Sequence, residues 1–435
     1  MHREIFRLAL PNVISNITVP LLGMADMAIA GRFGGNSAAA IGALSIGTTI
    51  FNFIYWNFGF LRMGTSGLTA QAWGAGDEKE CADMFVRSLS LAVAVSALML
   101  LLQRPIGHAA IYIMHGDGAV AEYFFARIWA VPAAISLFAL NGWYIGMQNA
   151  VVPMVVAIVQ NIINVAFSLW FAVGLNMGLA GVAWGTVVAQ WSGVLIFGVW
   201  SALRYGRILA RADWSHSFSP RPMMKFFAVN RDIFLRSACL VLAYSFFTAA
   251  SARFDSALLL AVNALLMQLF TLFSYVCDGV AYAAEALTGR FIGARDGVSL
   301  RRFLRAVAVW GAGVALCYVA AYLAGWRWIL GLFTDGDPAL LDVAARYVGW
   351  VIVVPLAGAP SFLLDGIMVG ATHSRVMRNS VFWATALYFA IYFSLRGLLG
   401  NDALWLAFTL FLVVRGVLEY YMAGGVKNLA SLLAK

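Results

Sequence analysis

The sequence predicts an all-α polytopic membrane protein: twelve transmembrane helices in two pseudo-symmetric six-helix lobes. Three observations predict it. Of 435 residues, 62% are hydrophobic and 11% are charged, whereas a soluble domain carries about 25% charged residues. The apolar residues form helix-length runs, and one span needs about 20 of them to cross roughly 30 Å of hydrocarbon. A pair of sequence echoes divides the chain near its middle.

In the first half, apolar windows place spans near 8–31, 40–73, 88–113, 121–147, 152–174 and 180–203. Arg3 and Arg7 precede the first run, and Ala28-Ile29-Ala30 mimics a signal-peptidase site. The length of the run, with Pro11, Pro20 and Asp26 inside it, favours a retained first span over a cleaved leader. In the second half, spans fall near 233–253, 257–290, 305–332, 345–371, 378–398 and 402–424. The expected organisation is therefore an N-lobe at 1–203, an inter-lobe loop at 204–231 and a C-lobe at 232–435.

Topology follows the distribution of Lys and Arg. The stretch Arg204 to Arg236 holds seven basic residues against Asp213 and Asp232, so it is expected on the cytoplasmic side. Arg290, Arg295, Arg301, Arg302 and Arg305 mark a second basic loop, and Asp335, Asp337 and Asp342 mark an acidic one that alternates with it. An even number of spans leaves both termini in the cytoplasm, and the expected location is the inner (plasma) membrane. The segment Asp77 to Arg87, read as a cytoplasmic loop, is rich in acids; the rule largely ignores carboxylates, so the orientation stands.

Several function classes are excluded by the same inspection. The net charge of +9 sits in short loops between apolar runs, which is topology and not a nucleic-acid footprint. Cys81, Cys239, Cys277 and Cys317 show no CxxC spacing, so neither disulfide framework nor zinc site is indicated. The five histidines fall in loops or at span ends, and no HExxH, GxSxG, DDxxD or phosphate-binding glycine loop occurs. An enzyme is not expected, nor any cofactor.

Leu140-Asn141-Gly142 through Gly146 is echoed by Leu364-Asp365-Gly366 through Gly370, and Gly74-Ala75-Gly76-Asp77 by Gly293-Ala294-Arg295-Asp296. Matching order and spacing favour a parallel duplication of a six-span unit.

Asp26 is a lone carboxylate within Pro11 to Ala30, with no basic residue in the run. A charge at bilayer depth costs about 2.5–3.5 kcal/mol on insertion scales, which makes function the default reading. Removal from water penalises the charged form of a carboxyl, so an acid here is able to take up and release a proton. A cation-driven or proton-driven carrier needs such a group.

The stretch Leu8-Ala9-Leu10-Pro11 through Asn16-Ile17-Thr18-Val19-Pro20-Leu21-Leu22-Gly23 to Asp26 resembles the multidrug and toxic compound extrusion (MATE) family, in its DinF branch. So do Phe60-Leu61-Arg62-Met63, Asn161-Ile162-Ile163-Asn164, Asp278-Gly279 with Glu285, and Leu364-Asp365-Gly366. The resemblance implies two six-helix lobes around a central cavity and antiport of organic cations or amphipathic compounds against protons or sodium ions. It also implies ion-coupling roles for Asp26 and Asp365. The fifth-span position that often carries an acid in relatives is Ser168 here, so a proton shared between two N-lobe carboxylates is not expected.

Asn161 and Asn164 join the expected ion-coupling set, because amides both donate to a carboxylate and coordinate a cation. Asp365 enters on the same basis as Asp26: nothing basic is near it in sequence, and its counterpart in the echo is the neutral Asn141. Arg62, Asn141, Tyr144, Asp278 and Glu285 are the expected cavity residues. Asp278 and Glu285, seven apart, share one helix face, with pairing to Arg236 or Arg253 as their structural alternative. Arg62 is the basic residue read as deep. The sequence assigns no metal. Expected partners are small amphipathic or cationic substrates and the lipid bilayer, for a monomer. The runner-up function is a flippase for a lipid-linked or amphipathic substrate, which would want a strongly basic cavity; a membrane-embedded enzyme ranks third.

Overall fold

The computed structural model describes residues 1–33, 37–254, 256–334 and 337–425. Asp335 of the acidic loop lies outside them. Among the described residues there is no strand, and twelve helices are long and apolar enough to span a membrane. In order they are α1 (His2–Gly31), α2 (Ala39–Gly74), α3 (Glu78–Leu101), α4 (Gly118–Gly146), α5 (Val151–Gly174) and α6 (Gly178–Leu209). They continue with α7 (Pro220–Ser251), α8 (Ala257–Gly293), α9 (Gly297–Thr334), α10 (Pro338–Gly370), α11 (Ser374–Leu399) and α12 (Asn401–Met422).

Local chemistry sets the helix ends. Asp77 Oδ1 accepts from the Glu80 amide at 2.9 Å, Asp117 from Ala119 and Val120, Ser256 from Leu259, and Asp337 from Ala339. Each satisfies a first-turn N–H that has no partner inside its helix. The Asp77 cap and the acids at the positive end of the α3 dipole explain why the expected loop Asp77 to Arg87 is helical from Glu78 onward. The expected span at 88–113 is likewise corrected: α3 stops at Leu101, and Gln103–Ile113 is a separate helix whose first turn carries Pro105. The inter-lobe loop is shorter than its polar composition suggests, since α6 runs to Leu209 and α7 starts at Pro220, with only the short helix Trp214–Ser217 between.

Two compact units make up the chain: Ile14–Asn230, and Arg231–Lys435 together with Met1–Val13. The sequence division gave all of α1 to the first half; the structure instead groups its first residues with the second unit. Arg290 donates to Glu4 at 2.9 Å, Trp310 Nε1 to His2 Nδ1 at 3.1 Å, and the Phe6 and Trp310 rings lie 6.2 Å apart.

Each unit repeats the same local solutions. The turn after α2 places Gly76 at φ 71°, and the turn after α8 places Arg295 at φ 54°. In both, three amides return to carbonyls four, three and five residues back. The turns after α4 and α10 do the same around Gln148 and Thr372. A side chain at Gly142 would strike the Arg62 carbonyl of α2, and one at Gly366 the Ala281 carbonyl of α8. Gly146 and Gly370, four residues on, press against Thr69 and Thr288 in turn. Small residues four apart let helix backbones approach, which supplies packing where lipid offers no hydrophobic drive. These are the echoed motifs of the sequence, and the contacts explain the glycines in them.

Candidate functional site: one acid cluster in each unit

In the unit Ile14–Asn230, α1 positions Asp26 with 8% exposure, and its Oδ1 is buried without a hydrogen-bond partner among the described residues. It interacts electrostatically with Arg127 of α4, yet no direct ion pair joins them among the described residues. Arg127 is held by the Tyr123 hydroxyl and by Thr48 Oγ1 at 3.4 Å, with its guanidinium 5.0 Å from the Phe51 ring centre. Its Nε is also buried without a partner. A carboxyl and a guanidinium that sense each other but have not closed leave room for a proton or a cation to change the balance.

The asparagines reach elsewhere. Asn161 Nδ2 donates to the Thr18 carbonyl at 3.2 Å, so α5 does meet α1, two turns before Asp26. Asn164 donates to Thr186 of α6 at 3.0 Å. Neither bonds Asp26, so the expected three-residue cluster is not assembled in this state. Ser168 is fully buried and packs on Gly185 of α6, with its hydroxyl 3.4 Å from the Val182 carbonyl. The position where relatives often carry an acid is filled by a close helix contact.

Arg62 and Asn141 are half-buried, on α2 and α4. Tyr144, expected on the cavity wall, is instead a core residue: it is 0% exposed, shares a 2.8 Å hydrogen bond with Ser201 Oγ and packs on Trp143, Phe197 and Tyr205. Its aromatic ring on a Gly-flanked helix answers to packing, which periodicity alone does not separate from ligand contact.

In the unit containing Arg231 onward, α10 positions Asp365, and the structure corrects the expectation of an acid remote from basic groups. Arg236 of α7 donates through Nε to Oδ1 at 3.2 Å and through Nη2 to Oδ2; Arg415 of α12 donates to Oδ2 at 3.0 Å. All three residues are under 10% exposed. The arginines come from 129 and 50 residues away in sequence, which is why local reading missed them. Glu419 lies one turn beyond Arg415, fully buried. Asp278 of α8 is half-buried and interacts electrostatically with Arg415, while Glu285 is 1% exposed on the same helix. The alternative partner Arg236 thus binds Asp365.

Arg127 and Arg415 lie outside the expected set, in which Arg62 is the deep cation, and Arg236 enters it only as an alternative partner of Asp278 and Glu285. Their signal was available: each is a basic residue inside an apolar run, and Arg415 with Glu419 forms an i, i+4 pair in the last span.

A further charged group clasps the segment between α6 and α7 to α3, within the unit Ile14–Asn230. Asp83 accepts from the Asp213 amide at 2.8 Å and meets His216 Nδ1 at 2.6 Å; Arg87 donates to the Ser217 carbonyl at 2.8 Å and to Glu80 at 2.7 Å. Glu80, Asp83 and His216 have the donor types of a metal site. The Arg87 guanidinium, however, already supplies the positive charge there.

Comparison with known proteins agrees with this architecture. The family model described as MatE matches residues 11–170 and again 233–393. DNA damage-inducible protein F of Escherichia coli (strain K12) is 38% identical, over 95% of this chain and 90% of its own length. The probable multidrug resistance protein NorM of Bradyrhizobium diazoefficiens is 26% identical, over 94% and 90%. Among solved structures, one described as MATE in the bent conformation superposes with a TM-score of 0.86 at 19% identity, covering 99% of this chain and 97% of the other. The outward-facing form of a multidrug resistance MATE family transporter gives 0.84 at 18% identity, covering 99% and 96%; both show a shared fold.

Proposed function

This chain belongs to the MATE family of multidrug efflux transporters, and on that premise we propose that it is a proton-coupled antiporter that exports organic cations or other amphipathic compounds by alternating access. The observation that carries the reading is Asp26: an isolated buried acid with an unpartnered oxygen, facing an arginine it has not paired with. No covalent step and no cofactor enter.

Open to the outside, the protein lets Asp26 accept a proton, which removes the anion that a cationic cargo or Arg127 would otherwise balance. The cargo leaves, the protein opens inward, and the proton escapes to the cytoplasm as new cargo binds. For a cargo without net charge, the inward proton carries one elementary charge worth about 2.3 kcal/mol per 100 mV, whereas exchange with a monovalent cation is electroneutral and is driven by the pH gradient. Asn161 and Asn164 position α5 against this movement, and Arg62, Asn141, Asp278 and Glu285 are assigned to the cargo path. Asp365 serves as the anion that holds Arg236 and Arg415. The protein acts as a monomer in the inner membrane with both termini cytoplasmic. Sodium is the competing coupling ion.

One observation favours a second reading. Buried Arg236 and Arg415, with half-buried Arg127, supply more positive charge at depth than the sequence suggests, which suits a flippase for an anionic amphipathic lipid. Proteoliposome flux with pH and sodium gradients imposed separately distinguishes the readings. The antiporter predicts cargo efflux driven by the pH gradient alone; efflux indifferent to both gradients, with binding of anionic lipid, contradicts it.

A further inference from the structure

Glu419, at the end of α12, has no part in the transport steps above. It is 0% exposed. Its Oε1 receives one long hydrogen bond, from the Ser380 hydroxyl at 3.4 Å, and its Oε2 is buried with no partner among the described residues. One helical turn earlier and on the same face, Arg415 is equally buried. It gives Nη2 to Asp365, and its Nε is likewise buried without a partner among the described residues. Arg236 also aims at Asp365.

A fully buried carboxylate needs a paired charge and several hydrogen bonds to offset its lost hydration. Glu419 has one weak hydroxyl contact and the carboxylate of Asp365 beside it. Two carboxyl groups so placed share a hydrogen bond only if one keeps its proton, so this state suits a neutral Glu419 whose O–H donates to Asp365. The charge count supplies the other half of a switch. Arg236 and Arg415 balance Asp365 and Asp278 when Glu419 is neutral, and one negative charge is in excess when it is ionised. Two orphaned polar atoms one turn apart, a carboxyl oxygen and a guanidinium N–H, are what a second state would join.

We propose that Glu419 is a second exchangeable-proton site, which trades its proton for a hydrogen bond from Arg415 Nε while Asp365 stays ionised as the fixed anion of the cluster. In the step, the O–H bond of the carboxyl breaks, the proton passes to water, and the electron pair remains on the carboxylate, which then accepts the Arg415 Nε–H. The charged groups that act on Glu419 are Asp365 from α10, Arg236 from α7 and Arg415 on its own helix; α11 offers the neutral Ser380, and Asp278 of α8 acts on Arg415. The use of this proton in transport rests on the antiporter reading; the protonation itself does not.

Infrared titration of the purified full-length protein reads the C=O stretch of protonated carboxyls without any transport. Wild type shows a band that disappears on raising pH, E419Q lacks it throughout, and D26N retains it. A wild-type spectrum identical to that of E419Q in this region at every pH overturns the proposal. Should E419Q fail to fold, E419D keeps a carboxyl: its band must shift in frequency from wild type, and an unmoved band overturns the proposal equally. In proteoliposomes, E419Q flattens the pH dependence of efflux. Wild-type efflux that ignores pH defeats the antiporter reading and leaves the infrared result to decide Glu419.

Discussion

Ser168 and Asp26 show how the same apolar surroundings admit one polar residue for packing and another for its charge. The Ser168 hydroxyl makes a single long bond and lies against Gly185, so Ser168→Ala should leave thermal stability within about 0.5 kcal/mol of wild type. Ser168→Asp must fit a larger, charged group into the same contact and should cost about 1–3 kcal/mol from overpacking alone. Melting curves in detergent check both, and an equally stable Ser168→Asp protein would show that the contact yields. Asp26 was legible in sequence because a lone acid in an apolar run has few structural explanations. Arg127 was legible as a basic residue in an apolar run but its surroundings were not, because Thr48 and Phe51 lie on another helix and only the fold brings their side chains together.

At the scale of elements, the helices were legible and their ends less so. Turn chemistry at Asp77 and Pro105 moved boundaries that hydropathy alone drew too late. The echoed glycines were legible as a repeat, while their cause, backbone contact between α2 and α4 and between α8 and α10, needed coordinates. Gly366→Val should therefore destabilise by about 1–3 kcal/mol, since its side chain would meet the Ala281 carbonyl, whereas Gly397→Ala in open space should be tolerated. The α3 clasp on the segment between α6 and α7 gives a pH prediction. A hydrogen bond from Lys79, and then the His216 amide, hold the Asp213 carboxyl below its usual range. A depressed carboxyl stabilises the clasp fully above its unfolded value of about 3.9, and that contribution is lost as pH falls through the lower folded value. Hydrogen exchange across 210–219 should accelerate only in that acidic window relative to its intrinsic rate. Removing Asp83, the buried centre of the clasp, should expose the same amides at neutral pH, at a cost of about 3 kcal/mol.

For the whole molecule, composition and spacing were enough to fix a twelve-span membrane protein, because span length follows from bilayer thickness. The duplication read from short echoes reappears as two matches to one family model. Long-range pairing was beyond sequence inspection: the arginines that enclose Asp365 lie on α7 and α12. That pairing shifts the weight of proton coupling onto Asp26. The direct test is cargo efflux from proteoliposomes under an imposed pH gradient, wild type beside Asp26→Asn at equal protein content. Gradient-driven efflux in wild type and none in Asp26→Asn, whose side chain stays neutral at every pH, is the predicted result; equal efflux from the two proteins would contradict it.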